Sequence, residues 1–287
     1  MIFQFTNNRP RRRTAGLISA VSVALICTAL ASPHNAVEPE VRASDLLRQA
    51  VSNEKTGDKQ EYYSWADRVQ KPRGSVTKFM VETPQGILAR AVAFNDRALT
   101  PEERLQDDER INRLLDPAKM REKAGKQKDD QQHIERILFA LADAFQCEYG
   151  VAHDDRNLRL ECLPNPGFSA PNYESQVLQG MKSVILIDRE DKRIASIQGT
   201  LFRDVNFGWG FIGRLNRGGS IEITQSKVAG KHWGITRMQL TFEGRILVVK
   251  PLKVEETDTS WNYQPVPKMT VGEALEFLRN NSVKASH

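Results

Sequence analysis

From Met181 onward the chain is built of strand-forming runs joined by very short connections. Met181–Asp188, Arg193–Val205, Ser220–Val228, His232–Phe242 and Arg245–Val254 are rich in Ile, Val, Leu, Thr and Phe. Between them lie Arg189-Glu190-Asp191-Lys192, Ala229-Gly230-Lys231 and Glu243-Gly244, all too short for a crossover. Strands joined this tightly pair antiparallel, so the spacing predicts a meander. Upstream, Glu61–Val69, Val76–Val81 and Ile87–Phe94 read as three more strands, around turns at Lys71-Pro72-Arg73-Gly74 and Thr83-Pro84-Gln85-Gly86. A helix is predicted at each end. Ser44–Lys55 carries Leu46, Leu47, Ala50 and Val51 at helical spacing. Thr270–Asn280 carries a Thr270/Glu273 capping box and the stripe Val271, Ala274, Leu275, Leu278. The fold class is mainly β with helices, α+β.

Two features interrupt this pattern. Thr100-Pro101-Glu102-Glu103 combines an N-cap, a proline at the first helical position and a capping-box acid. The region from there to Gln132 is dense in charge and broken at Asp116-Pro117 and Gly125. It reads as a solvated helical insertion at about 100–132, or as a docking arm for an envelope protein. Ile134, Ile137, Leu138, Leu141 and Phe145 then form one apolar stripe that must pack on something. The second feature is the pair Cys147 and Cys162. Phe145–Ala152 and Asn157–Leu163 read as a hairpin about His153-Asp154-Asp155-Arg156. A turn centred between Asp154 and Asp155 sets the two cysteines face to face, which predicts a disulfide; two reduced thiols in a hairpin core are the alternative.

The N-terminus carries Asn8–Arg13 (NRPRRR), an uncharged stretch Thr14–Ala31, and Ala29-Leu30-Ala31 before a polar Ser32. A basic region, an apolar region and small residues at a cleavage site predict a signal peptide over residues 1–31 and a periplasmic, exported protein. Retention as an anchor is the alternative, although a span needs roughly 20 apolar residues. The whole-chain charge of 41 Lys+Arg against 36 Asp+Glu owes four arginines to this leader, so the remainder is close to neutral. Such a balance gives no support for a nucleic-acid partner. Residues 32–287 are expected to form a single domain.

Within it, Leu186-Ile187-Asp188, Ile197-Gln198-Gly199-Thr200-Leu201 and Asp204-Val205-Asn206-Phe207-Gly208-Trp209-Gly210 follow in order. Leu215-Asn216-Arg217-Gly218-Gly219, Trp233-Gly234-Ile235-Thr236-Arg237 and Phe242-Glu243-Gly244-Arg245 come after them. This succession resembles uncharacterised exported bacterial proteins grouped with the outer-membrane lipoprotein-sorting, LolA-like family. The resemblance implies a curved antiparallel sheet forming an incomplete barrel, a half-barrel with helices packed on its concave side. It also implies a concavity that holds a lipid acyl chain or a lipoprotein. Strand-face positions supply the expected lining: Phe79, Val81, Ile185, Ile197, Leu201 and Trp233. The glycine-rich connection adds Phe207, Trp209 and Phe211 at the mouth. The function expected is a cell-envelope lipid or lipoprotein carrier, with a non-enzymatic structural or interaction module as the alternative.

Gly208-Trp209-Gly210-Phe211-Ile212-Gly213 matches G-x-G-x-x-G. A dinucleotide site needs a helix at the last glycine, whereas Gly218-Gly219 leads here into another strand. The histidines show no metal spacing, and there is no C-x-x-C and no G-x-S-x-G elbow. The expectation is no enzyme, no metal and no cofactor.

Overall fold

The computed structural model describes residues 41–55, 61–151, 154–208, 212–246 and 250–281. The leader, His153, Trp209 and Phe211 lie outside the described residues. The unit described falls within residues 40–287. It runs α1 (Ala43–Lys55), β1 (Tyr62–Lys71), β2 (Gly74–Thr83), β3 (Gly86–Phe94), β4 (Arg97–Ala98), α2 (Pro101–Asn112) and α3 (Pro117–Ala144). Then follow β5 (Phe145–Tyr149), β6 (Asn157–Pro164), α4 (Tyr173–Gln176), β7 (Met181–Asp188), β8 (Ile194–Leu201), β9 (Val205–Phe207) and β10 (Gly213–Leu215). The chain closes with β11 (Ser220–Ala229), β12 (His232–Ile246), β13 (Lys250–Val266) and α5 (Val271–Asn281).

The strands form one antiparallel sheet in the order β4-β3-β2-β1-β13-β12-β11-β8-β7-β6-β5, with the β9–β10 hairpin attached to β12. It is open, not closed into a barrel. The chain starts β1 in the middle of the sheet, works out to β4, crosses to the far edge through α2 and α3, and works back inward from β5. The last strand, β13, closes the middle by pairing with β1.

Two expectations are corrected. Glu243-Gly244 is not a turn, because β12 runs through it to Ile246. Its glycine serves a close approach: a Cβ there would sit 2.0 Å from the Arg214 carbonyl of β10. Gly125 does not break the helix, since α3 is continuous from Pro117 to Ala144.

Register divides the side chains between the two faces. Leu160, Ile185, Ile197, Ile223, Met238 and Asp258 are successive cross-strand partners, so they share one face. Phe79 pairs with Ala66, and Ala66 with Trp261, an odd number of residues along β13 from Asp258. Phe79 and Trp261 therefore point to the opposite face. Each face has its own core. The first gathers Leu46, Leu47 and Ala50 of α1, Leu141 and Ala144 of α3, and Leu160, Ile185 and Ile187. The second gathers Ala66, Phe79, Val81 and Leu88 under Leu275 and Leu278 of α5, with Ile111 and Met120.

The connection α3 also shows how the sheet bends. Gln127 holds the outer edge of β3, and Ala144 leads directly into β5. That length of helix spans ~26 Å at 1.5 Å per residue. Along the sheet, β3 and β5 are nine strand spacings apart, or ~43 Å. A straight helix can join those edges only if the sheet curls toward it. The face that carries the first core, where α3 ends, is therefore the concave one. α5 packs on the other, convex face, which corrects the expectation that the helices all cover the concavity.

The charged insertion closes an edge. β4 pairs only with Ala93 and Phe94, leaving the outer side of β3 open from Ile87 to Ala91. There the Ala91 amide donates to Asp107 at 3.1 Å, and Arg110 donates to the Ala89 carbonyl at 2.8 Å. Lys123 donates to the Ile87 carbonyl. At the far edge the Cys147 amide donates to Ser44 Oγ at 3.2 Å. Both edges thus have exposed backbone groups met by side chains, which hinders pairing with another chain.

Candidate functional site

The concave face is covered at one end and open in the middle. Over β5–β8 it is filled by α1 and the end of α3. Ile197, Ile221 and Phe242 still pack against that core. Next to them Ile223, Met238, Leu240 and Val254 are half-buried, and they belong to neither core. The cores built on the helices reach Ile221 of β11, Phe242 of β12 and, on the other face, Trp261 and Val266 of β13, but leave out Ile223, Met238, Leu240 and Val254; α1 reaches β11 through the carboxylate of its Glu54, which accepts from Gln225 at 2.9 Å. On the convex side the same strands show Glu222, Thr224, Arg237, Gln239 and Thr257, a polar face. The alternation is that of strands with one dry side. This part of the dry side lies outside both cores.

Beyond Met238 the floor turns polar. Asp258 is its cross-strand partner, and Asp67 and Lys78 oppose each other on the neighbouring pair of strands. Burial pushes the Asp258 carboxyl up to about 6, with Glu256 and Asp67 adding to the shift. Its Oδ1 is buried without a hydrogen-bond partner. Burial also raises Asp67, which accepts from Ser260 at 2.9 Å. Lys71 pairs with Glu256 at 2.9 Å. The floor is thus apolar along β8, β11 and β12 and charged along β13, β1 and β2.

One end of this face is sealed. The Trp233 indole donates to Asp191 at 2.8 Å, with the Arg193 guanidinium 5.9 Å from its ring centre. Arg193 pairs with Glu54 of α1 at 2.6 Å. Tyr63 stacks on His232 at 3.9 Å and Trp65 on Tyr263 at 5.5 Å.

The expected lining residues are scattered by this geometry. Ile185 and Leu201 are buried in the first core, and Ile197 lies at its border with the open floor. Phe79 and Val81 are on the convex face beneath α5, so they cannot line the same surface. Trp233 and Phe207 are near opposite ends of β12: Gly213, the partner of Phe207, pairs with Ile246. The thirteen-residue step from Trp233 to Ile246 is ~43 Å of strand, well beyond one leaflet of about 15 Å of hydrocarbon. Trp209 and Phe211 lie outside the described residues. The last glycine of the G-x-G-x-x-G pattern, Gly213, opens strand β10 where a nucleotide site needs a helix. Ile223, Met238, Leu240 and Val254 were not singled out, although the alternation through β11–β13 carried the signal.

Cys147 and Cys162 are direct cross-strand partners with Cα atoms 4.1 Å apart, and they are disulfide-bonded. An open depression of about 530 Å³ lies elsewhere, lined by a single segment that includes Ser169, Asn172, Tyr173, Glu174 and Gln179. Glu174 there is held down to about 2, first by the Arg136 guanidinium of α3 at 2.8 Å. Among the described residues no group of His, Cys, Asp and Glu side chains is arranged to hold a metal ion. No described helix is long and apolar enough to cross a membrane.

No family model matches the chain, and no curated protein is similar to it. A solved structure, a DUF1329 family protein from Desulfovibrio piger ATCC 29098, is similar over 79% of this chain and 93% of that one, at 11% identity and a TM-score of 0.29. That superposition is loose.

Proposed function

We propose that this is an exported lipid-binding protein of the cell envelope, in the manner of a LolA-like half-barrel, which holds an acyl chain on the open part of its concave face. The observation that carries the reading is the half-buried run of Ile223, Met238, Leu240 and Val254, outside both cores, on a face that bends toward its own helices. Burial of an acyl chain contributes roughly 0.8 kcal/mol per CH₂, so a few contacts with such a floor support useful affinity. The charged rim at Asp67, Lys78 and Asp258 gives the polar end of an amphiphile a neighbour. The leader expected over residues 1–31 and the Cys147–Cys162 bond agree with an oxidising compartment outside the cytoplasm.

Native mass spectrometry of protein released gently from its own envelope tests this directly. Lipid should co-purify, and Met238→Asp should lose it while remaining folded. Protein that carries no lipid and takes none up from phosphatidylethanolamine vesicles would instead be an interaction module whose concave face receives another protein.

A further inference from the structure

The middle strands of the sheet run on into an arm. β11 ends its pairing with β12 at Thr241, and β1 ends its pairing with β13 at Thr257. Past those residues β12 and β13 continue as partners of each other, with β10 and then β9 on the outer side of β12. The step from Thr241 to Ile246 carries β12 ~17 Å beyond its last pair with β11. One side of the arm leans on the body, since Val205 is buried in the first core with Phe207 and Leu215 packed against it. Ile212, Ile246 and Leu252 belong to neither core.

The arm sets positive charges against each other. Arg214 and Arg245 are direct cross-strand partners. Like charges in that position repel and weaken a sheet. Asp204 answers only one of them: it pairs with one end of the Arg214 guanidinium, whose Nε is buried without a hydrogen-bond partner. Among the described residues Arg245 and Lys250 are exposed and make no ion pair. On the same face as Arg245, Lys253 reaches Glu243 and Glu255 only at 3.9 and 3.7 Å, with all three exposed. Such loose surface pairs contribute little.

The end of the arm is apolar. Ile212 is 47% exposed and Ile246 37%. They lie at the same end, because Gly213, next to Ile212, is the partner of Ile246. Ile246 and its partner Lys250 turn to the concave face, opposite Arg245. Cations therefore flank this end on both faces, Arg214 and Arg245 on the convex side and Lys250 on the concave. Apolar side chains at a tip with cations just behind them match the layering of an anionic bilayer, hydrocarbon beneath phosphate. A nucleic acid would match the cations and leave the isoleucines in water.

We infer that this arm docks the protein on an anionic phospholipid surface, with Arg214, Arg245 and Lys250 at the lipid phosphates and Ile212 and Ile246 seated at the edge of the hydrocarbon. The contact goes beyond the proposed acyl site and does not depend on it.

Flotation of the full chain with vesicles tests the docking. The protein should float with vesicles of phosphatidylethanolamine and phosphatidylglycerol and stay behind with phosphatidylcholine alone. Salt at about 0.5 M should release it, since the Debye length then falls to roughly 4 Å. Arg245→Glu changes two charges near the surface and should weaken flotation about thirtyfold. It should not lower Tm, because it replaces a repulsion from Arg214 by an attraction. Ile246→Asp should weaken flotation as well. Met238→Asp, on the acyl floor, should lose cis-parinaric acid, a fluorescent fatty acid, yet float like the wild type. Equal flotation with phosphatidylcholine, or wild-type flotation of Arg245→Glu, would overturn the docking. Loss of flotation in Met238→Asp would assign the vesicle to the acyl site and overturn it too. Protein that carries lipid but ignores phosphatidylglycerol would keep the proposed function and sink the arm; the reverse result would keep the arm and sink the acyl site.

Discussion

Gln127 grips the backbone of Ile87 from both sides: its Oε1 accepts from the Ile87 amide at 3.1 Å and its Nε2 donates to the Ile87 carbonyl at 2.9 Å. A side-chain amide thus does for the edge of β3 what a neighbouring strand would do. Gln127→Ala should leave both groups dependent on water, at a cost of about 1 kcal/mol. Thermal unfolding should show a fall of a few degrees. The open edge should also make the variant more prone to associate, measured by light scattering on heating. No change in either would mean that Lys123, which donates to the same carbonyl, is sufficient alone.

The Cys147–Cys162 bond closes a loop with a sequence separation of 15. Chain-entropy loss in the unfolded state makes such a loop worth about 3 kcal/mol. Cys147→Ala with Cys162→Ala should lower the urea midpoint accordingly, with little change in slope. Ready alkylation of both thiols in the unreduced protein would contradict the bond.

Asp258 makes stability depend on pH in an unusual direction for a carboxylate. Its proton is held up to about 6 in the folded protein, against an ordinary value of 3.8. Well below pH 3.8 the group is protonated in both states and costs nothing. As pH rises toward about 6, the unfolded chain releases its proton first, and the folded state loses stability. Solvent screening of a half-buried carboxyl leaves a cost of about 1 kcal/mol at neutral pH. Asp258→Asn should remove that slope and raise Tm at neutral pH. Equal slopes for variant and wild type between pH 4 and 7 would count against the assignment.

Much of the fold was legible because its signals are local. The hairpin register that sets Cys147 opposite Cys162 follows from the turn position alone, and Thr100 and Thr270 cap their helices as their sequences dictate. The site was harder to read because its geometry is not local. Phe79 and Ile185 are both buried strand residues, and only the register carried across the middle strands shows that they face opposite ways. The charge of α2 and α3 looked like solvation. Asp107, Arg110 and Lys123 instead serve the backbone of a strand far behind them in sequence. Gly244 shows the same ambiguity in miniature, since a glycine demanded by a close approach and one demanded by a turn look alike.

The two faces make opposite predictions for two apolar side chains. Phe79 is buried beneath α5 and stacks on Phe277 with ring centres 5.9 Å apart. Phe79→Ala should leave a cavity and cost about 3–4 kcal/mol. Fatty-acid affinity of the protein that remains folded should be unchanged, because the sheet lies between Phe79 and the ligand. Met238 is half-buried on the concave face and belongs to neither core. Met238→Ala should cost under about 1 kcal/mol, since much of the side chain is already in water, yet weaken cis-parinaric acid binding several-fold. Paired urea titrations and fluorescence titrations on the two variants separate stability from binding. Loss of binding in Phe79→Ala with none in Met238→Ala would place the ligand on the convex side and overturn the concave site.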